Sequence, residues 1–397
     1  MQRRSFLAAS SALLASGFAQ ADEVKPRRKV AVIGHTGRGN FGHGLDTVWL
    51  KLPETEIVAV SDGNPEGLAK QKKILKIDRG YTDYRQMLQE VRPEFVSVCP
   101  RHIDQHHDMA MAAIEAGVKG LYVEKPFCRT PAEADSLLAA AEKSGARIAV
   151  AHRNRYHPAL KQIDTLIESG QLGKLLQIRG RGKGDRRGGD EDAWVLGTHV
   201  FNLFEYFAGS ITSCSAVMLK DGQHVTAKDI KPGAEGLGLL AANEVHARYE
   251  TTSGVVAYYD SIANDGTAGN AYCLQLIGSM GMVTLHIDRR PVAHFTAGNP
   301  YDPANSPRTW QPITTSGVGE PETRSQLVEE VYNHVVAVRD LIDACDNNRP
   351  PLCNGHAAAA TVEMTCAIFE SHRLGGKTVN LPLKQRQHPL ELMLAEK

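Results

Sequence analysis

The sequence predicts an α/β half built on a doubly wound parallel sheet, followed by a strand-rich α+β half. Three observations carry this reading. Short apolar runs alternate with helical segments up to about residue 150, as in a parallel sheet covered on both faces. The first of these runs ends in a glycine cluster, where a tight turn is needed. Past Gly173 the alternation gives way to successive strands with glycine-containing turns, such as Gly278-Ser279-Met280-Gly281.

Residues 1–21 stand apart from both halves. Arg3-Arg4-Ser5-Phe6-Leu7 precedes a weakly apolar run, Ala8 to Phe18, and a small-x-small cleavage pattern at Ala19-Gln20-Ala21. That run is too short to span a bilayer and too rich in Ala and Ser to anchor a core. It reads as a twin-arginine export signal, which places the mature chain in the periplasm or otherwise outside the cytoplasm. The remainder divides into 22–152 and 153–397, enough chain for two cores. Lys+Arg and Asp+Glu both number 45, so charge favours neither nucleic acid nor a membrane as partner, and a small-molecule ligand is expected. The seven cysteines are scattered and show no C-x-x-C spacing. They are expected to be mostly buried thiols, neither a disulfide framework nor a zinc site.

The first half begins with the strand Val30-Ala31-Val32-Ile33, and Gly34-His35-Thr36-Gly37-Arg38-Gly39-Asn40-Phe41-Gly42 follows as a turn expected to enter a helix. Gly37, Gly39 and Gly42 fit G-x-G-x-x-G literally. The favoured register uses Gly34 and Gly39 with Thr36 in the middle place, because these sit where the strand ends, and it brings Gly37 and Arg38 close to a pyrophosphate. The next strand, Glu56 to Ser61, ends at Asp62, at the spacing of an acid that binds a ribose 2′-hydroxyl. A carboxylate there repels a 2′-phosphate, which points to NAD over NADP. Helices from about Pro65 and after Tyr84, the strand Phe95 to Val98, a helix from about Ile103 to Ala116, the strand Leu121 to Val123, a helix from Pro131 to Ser144 and the strand Ile148 to Val150 complete the alternation.

Two stretches at strand ends are candidates for chemistry. Cys99-Pro100-Arg101-His102 and Asp104-Gln105-His106-His107 cluster histidines, yet adjacent His106 and His107 cannot face one ion from a regular helix, so no metal is expected. Asp104 is expected to cap a helix, with Pro100 and His102 or His106 beside the nicotinamide ribose. Gly120-Leu121-Tyr122-Val123 delivers Glu124-Lys125-Pro126 to the sheet's carboxyl edge, where open α/β sheets bind ligands. Glu124 is expected beside the cofactor. A lysine among apolar neighbours loses its proton more easily than a solvated one, so Lys125 is placed to polarise or protonate a substrate oxygen.

With Glu124-Lys125-Pro126 following a dinucleotide half, the chain resembles the glucose-fructose oxidoreductase and inositol dehydrogenase family. The likeness continues through Ala116-Gly117, Asn154-Arg155-Tyr156-His157-Pro158, the stretch Ile167 to Gly173 and Gly197-Thr198-His199. It implies a Rossmann half, NAD, a sugar-like substrate and a reacting carbon flanked by Lys125 and His199, with Arg155 also at the substrate. A cis bond at Lys125-Pro126 is implied too. The strands Leu175 to Gly180, Ile211 to Met218, Glu244 to Tyr249, Val255 to Ser261, Tyr272 to Ile277 and Met282 to Ile287 would then form one large open, mostly antiparallel sheet. One face would be covered by helices and the other used to form a dimer or tetramer. The family's usual Asp four residues before the histidine is Val195 here. Asp192, seven residues before, is expected to substitute if the helix reaches back that far. Asn202 stands where relatives often have Asp.

The most charged stretch, Arg179 to Asp192, runs into Trp194 and His199. Arg186 or Arg187 is expected to clamp hydroxyls or a carboxylate, and Trp194 to stack on a sugar face. Residues 288–319, rich in Pro, Gly, Ser and Thr, read as a long loop, and helices about Glu322 to Asn347 and Gly355 to Arg373 close the chain; Asn333-His334 could reach the site, although a helical histidine packed on its neighbours is the commoner case. The expected function is hydride transfer between a sugar CH-OH group and a retained nicotinamide. The alternatives are redox-neutral glycoside cleavage through a transient keto-sugar, and a non-catalytic protein that holds NAD.

Overall fold

The computed structural model describes residues 26–396 apart from 269, 271, 288 and 304–307, so the expected export signal lies outside the described residues. The first half comprises β1 (Arg28–Gly34), β2 (Thr55–Asp62), α1 (Pro65–Leu75), β3 (Gly80–Tyr81), α2 (Tyr84–Val91), β4 (Phe95–Val98), α3 (His106–Glu115), β5 (Gly120–Val123), α4 (Pro131–Ser144) and β6 (Arg147–Val150). Its strands pair in parallel in the order β3-β2-β1-β4-β5-β6. The order reverses between β1 and β4, and that switch point opens a crevice at the strands' carboxyl ends. Val30 to Ile33 are fully buried, as expected of a strand covered on both faces. Helix boundaries follow local chemistry. Asn64 caps α1 by accepting from the amides of Glu66 and Gly67, and Thr130 caps α4, with Pro65 and Pro131 at the first helical positions.

One expectation fails at once. No α-helix follows the glycine cluster: residues 36–47 form turns, and the chain becomes helical only in a short 3-10 turn, Val48–Lys51. Gly37, Gly39, Asn40, Gly42 and Gly44 all have positive φ, which a right-handed helix excludes. A phosphate here would meet turn amides in place of a helix N-terminus.

A 3-10 turn, Arg153–Tyr156, leads into the second half through α5 (Ala159–Glu168) and β7 (Leu175–Arg181). One helical turn, α6 (Asp190–Asp192), continues through a π-helical stretch, Ala193–Gly197, into α7 (Thr198–Ala208). There follow β8 (Ile211–Lys220), the short β9 (Gln223–His224), β10 (Lys231–Pro232) and β11 (Leu239–Leu240), then β12 (Glu244–Thr251), β13 (Val256–Ile262), β14 (Cys273–Gly278) and β15 (Gly281–His286). The chain ends with β16 (Ala293–Ala297), β17 (Gln311–Thr314), β18 (Gly317–Val318), α8 (Ser325–Tyr332), α9 (Val335–Asp346), α10 (Gly355–Arg373), β19 (Val379–Asn380) and α11 (Pro389–Ala395). The second sheet runs β18-β17-β16-β15-β14-β7-β13-β12-β8-β19, antiparallel except where β7 meets β13. Its inner face alternates in strict period two. Val245, Ala247 and Tyr249 are buried with Ala257 and Tyr259 under Phe201 and Phe204 of α7, and α10 packs along β8. The outer face is polar, with His246 bonded to both Glu244 and Asp260.

The stretch 288–319 is no simple loop, since β16, β17 and β18 extend the sheet edge from within it. Their apolar positions are too few, and too interrupted by Pro and Gly, to show a period. The helix expected from Glu322 to Asn347 is broken where His334 takes a φ of 64°. That break turns α9 back onto the first sheet, where Val335, Val338 and Leu341 pack with Val30, Trp49 and Tyr122. All seven cysteines are unpaired, and all but the half-buried Cys345 are buried. Among the described residues no helix is long and apolar enough to cross a membrane.

Candidate active site

The glycine turn closes the crevice from one side. His35 and Asn40 exchange backbone hydrogen bonds across it. A side chain at Gly39, where φ is 90°, would sit 2.4 Å from the Arg101 amide nitrogen and 2.5 Å from that of His102, so only glycine lets the turn lie against the loop after β4. Gly34 ends β1 under the Phe41 ring. Arg38 pairs with Asp104, which therefore does not cap a helix. A groove beside the turn is lined by Gly34, His35, Arg38, Ser61, Gly63 and Tyr84.

Several expected cofactor residues support the loops and do not face the crevice. Asp62 is fully buried; its oxygens accept from the Thr36 amide at 3.0 Å, from the Thr36 hydroxyl and from the Asn64 amide at 2.9 Å. It ties the glycine turn to β2 and does not present a free edge to a ribose. His106 is buried as well, with Nδ1 2.7 Å from the Pro126 carbonyl and Nε2 2.6 Å from the Pro100 carbonyl. Those bonds brace the two strand-end loops against each other and leave neither ring nitrogen for a cofactor or a metal. His102 is half-buried beside Gly39, and Pro100 contributes its carbonyl to His106.

Lys125 stands at the centre of the main cleft, 7 % exposed, after a cis bond to Pro126. Its Nζ donates to the Val195 carbonyl oxygen at 2.8 Å. Glu124 is buried beside it, with Oε1 2.5 Å from His43 Nδ1. Burial opposes the charge of Glu124, but the hydrogen bond and charge of His43, with Lys125 adding to them, hold it down to about 2. Its Oε2 is a buried acceptor with no partner among the described residues.

His199 lines the same cleft from the first turn of α7. Burial, then the nearby charge of Lys125, push it well below the usual histidine range, so the ring is neutral at neutral pH. Behind it lies His152, edge-on at 5.5 Å between centroids and likewise pushed down, to about 3, by burial first. Nδ1 of His199 has no partner among the described residues.

Asp192 does not reach His199. Its Oδ2 accepts from Ser261 Oγ at 2.6 Å and from the Lys183 amide at 3.0 Å, and burial pushes the carboxyl up to about 6. The reason is the π-helical stretch between them: it breaks the 3.6-residue period on which a seven-residue spacing depends. Trp194 is displaced by the same stretch. It is fully buried against Phe369, and Val195 and Leu196 face the cleft instead. Arg155 donates to the Asn202 carbonyl at 2.7 Å and lies over the Tyr206 ring, fastening α7 in place, while Arg153 lines the cleft. Arg186 is exposed, and Arg187 and Lys183 occupy the position expected of it.

The cleft also takes in His43 and Tyr272, which sequence reasoning did not place there, and His334, for which it preferred packing on its neighbours. Continuation of the glycine cluster to Gly44 was a signal for His43. Tyr272 is fixed by its hydroxyl, which donates to the Leu196 carbonyl at 2.8 Å, and His334 by Tyr122. Tyr272 carried no local signal. The glycine-only approach at Gly39, the adjoining groove and the unpartnered Glu124 Oε2 at the cleft together fit a dinucleotide laid from the groove to Lys125.

The doubly wound sheet thus presents the buried Lys125 to a cleft lined also by Val195, His199 and Tyr272 of the second half. Residues 28–152 match the Gfo/Idh/MocA oxidoreductase family model, NAD-binding Rossmann fold. It is 23% identical over 366 residues to the D-apiose dehydrogenase of Paraburkholderia graminis, covering 89% of this chain and 90% of that one. A levoglucosan dehydrogenase solved with NADH and levoglucosan superposes with a TM-score of 0.71 at 19% identity, over 90% of this chain and 99% of that one. An inositol dehydrogenase homologue from Azotobacter vinelandii, solved with NADH and myo-inositol, gives 0.68 at 20% identity over 90% and 98%. At these identities the two structures establish the shared fold.

Proposed function

We propose that the protein oxidises a CH-OH group of a sugar or sugar derivative with NAD. The observation that carries this is the convergence of Lys125 and His199 on one cleft at the carboxyl edge of the cofactor sheet. A neutral His199 has a lone pair with which to take the hydroxyl proton. Lys125, held by the Val195 carbonyl, stabilises the charge that develops on the substrate oxygen. With a dinucleotide laid from the groove to Lys125, its nicotinamide would supply the hydride acceptor at the cleft. Glu124 offers Oε2 to a ribose hydroxyl, and the buried charge of Asp62 beside Gly63 disfavours a 2′-phosphate, which supports NAD over NADP. The expected export, with self-association as a dimer or tetramer across the polar outer sheet face, belongs to the same proposal. Outside the cytoplasm a freely exchanging cofactor would be lost, so it stays bound through the cycle.

The absence of a carboxylate at Val195, the place of the usual partner of the histidine, favours a second reading, redox-neutral glycoside cleavage through a transient keto-sugar, since such a cycle draws its further base from elsewhere. Both readings are tested with the purified mature chain on sugars, polyols and aryl glycosides. Reduced nicotinamide formed with a sugar or polyol supports the first, aglycone release without net reduction supports the second, and neither with any substrate contradicts both.

A further inference from the structure

We infer that His152 positions His199 for proton transfer, accepting the hydrogen bond of its Nδ1–H directly or through one internal water. This rests on the oxidoreductase reading of the cleft, and it gives a task to a buried histidine that the proposed chemistry leaves unused. The need arises from the tautomer. His199 lines the cleft, while its Nδ1 is buried and has no partner among the described residues. To take a hydroxyl proton on Nε2, the neutral ring must carry its own proton on Nδ1. Once Nε2 is protonated, that Nδ1–H belongs to an imidazolium, and a buried imidazolium without an acceptor opposes the transfer. No carboxylate answers it from α7's own approach: residue 195 is Val, and Asp192 is committed to Ser261 Oγ and the Lys183 amide.

His152 meets the need. It follows β6, is 1 % exposed, and its ring stands edge-on to His199 at 5.5 Å between centroids. Both of its ring nitrogens are buried without a partner among the described residues. Burial, then the charges of Lys125 and Arg155, push it down to about 3, so it keeps a lone pair through the neutral range. Its surroundings preserve that state. Cys353 Sγ donates to the His152 carbonyl at 3.4 Å and lies 3.9 Å from Asn202 Oδ1, which brings the Asn202 amide beside the pair. Asn202 follows His199 by three residues on α7, on the same helical face, and its Nδ2 is also buried and unpartnered among the described residues. An amide at 202 leaves His152 neutral, where a carboxylate would favour its imidazolium and remove the lone pair. The other charged or titratable groups acting on the two rings are Glu124 and Lys125 after β5, Arg153 and Arg155 of the 3-10 turn, and His43, which already engages Glu124. A histidine that only filled space would desolvate two polar atoms without return, whereas the unpartnered nitrogens of His152, His199 and Asn202 match the roughly three bonds an internal water takes. In the step itself the substrate O–H bond breaks as Nε2–H forms and the hydride goes to the bound nicotinamide. The Nδ1 proton stays on His199, so His152 accepts a hydrogen bond and no proton.

The test is histidine-nitrogen NMR of the NADH-loaded protein, with the His199 signals assigned by their loss in His199→Asn. The expected wild-type ring is neutral with its proton on Nδ1, and in His152→Leu it becomes a mixture of tautomers. In that variant kcat on the best wild-type sugar falls about tenfold or more, while KM and the NAD Kd stay within about threefold. His152→Gln, which keeps an acceptor, restores the tautomer and most of the kcat. A wild-type His199 protonated on Nε2 would overturn the proposal whether or not His152→Leu folds. So would an unchanged kcat in His152→Leu, or a loss that His152→Gln does not restore. The expected tautomers with no oxidation of any sugar would instead overturn the oxidoreductase reading and leave the pairing standing. Sugar oxidation by a protein whose His199 is protonated on Nε2 would do the reverse.

Discussion

The ammonium of Lys125 lies 2.8 Å from the carbonyl oxygen of Val195, so the backbone of the residue that lacks the expected carboxylate tethers the principal lysine of the site. A π-helical stretch departs from the i, i+4 ladder and makes a carbonyl there available to a side chain. The tether fixes the lysine without lending His199 a negative partner.

Supplying that partner should therefore change the histidine and not the fold. In Val195→Asp, a carboxylate facing the cleft favours the imidazolium, which raises the pKa of His199. A base that must be neutral is then lost at higher pH. The acid limb of the kcat/KM profile is expected to move upward by about one unit or more. An unmoved limb would show that residue 195 does not communicate with His199.

Asp192 is expected to act on stability and not on that limb. Asp192→Ala removes the acceptor of two hydrogen bonds beneath the Lys183 turn. The expected loss is about 1–3 kcal/mol in urea unfolding, with the pH dependence of kcat/KM unchanged. A shifted limb would restore Asp192 as the histidine's partner.

Gly39 carries the approach of the phosphate turn to the loop after β4. Alanine there meets both a φ of 90° and a backbone nitrogen at 2.4 Å. Gly39→Ala is expected to cost about 1–3 kcal/mol of stability and to weaken NAD binding at least tenfold by fluorescence titration. Wild-type affinity in a folded variant would remove the turn from the cofactor site.

Much of this was legible in the sequence because it is local or periodic. The buried run before Lys125, the capped helices α1 and α4 and the alternation of β12 and β13 each announce themselves within a few residues. What was not legible depends on backbone departures that residue types do not reveal. The π-helical stretch rotated Asp192 and Trp194 out of their expected places. Positive φ through Gly37 to Gly44 removed the helix after β1, and the left-handed His334 folded α9 back to bring that histidine to the cleft. His106 looked like a ligand contact because a sequence cannot show that two carbonyls already claim its ring.

Acid should destabilise the fold. Burial pushes His152 and His334 down to about 3 and His157 and His388 down to about 4. Unfolded, these would titrate near ~6.5, so below that pH the unfolded chain takes up protons that the folded one refuses, and stability falls as pH drops toward 4. Burial raises Asp190 and Asp192 to about 6 and Glu205 to about 7, which acts oppositely: that stability is present at low pH and lost as pH rises through those values. The histidines outnumber the carboxyls, so the net expectation is a loss of roughly 1–2 kcal/mol per unit between pH 6.5 and 5. Melting temperatures across this range check it, and a flat or rising profile toward acid would contradict it.

The central claim is that Lys125 acts on the reacting oxygen from a site whose cofactor binding does not depend on it. Its most direct test is Lys125→Met, with NAD affinity and single-turnover reduction of the bound nicotinamide by the best wild-type substrate measured on the same sample. The account predicts a cofactor Kd within about threefold of wild type and a reduction rate lower by roughly 10³-fold or more. A reduction rate within tenfold of wild type, with NAD bound as before, would contradict it.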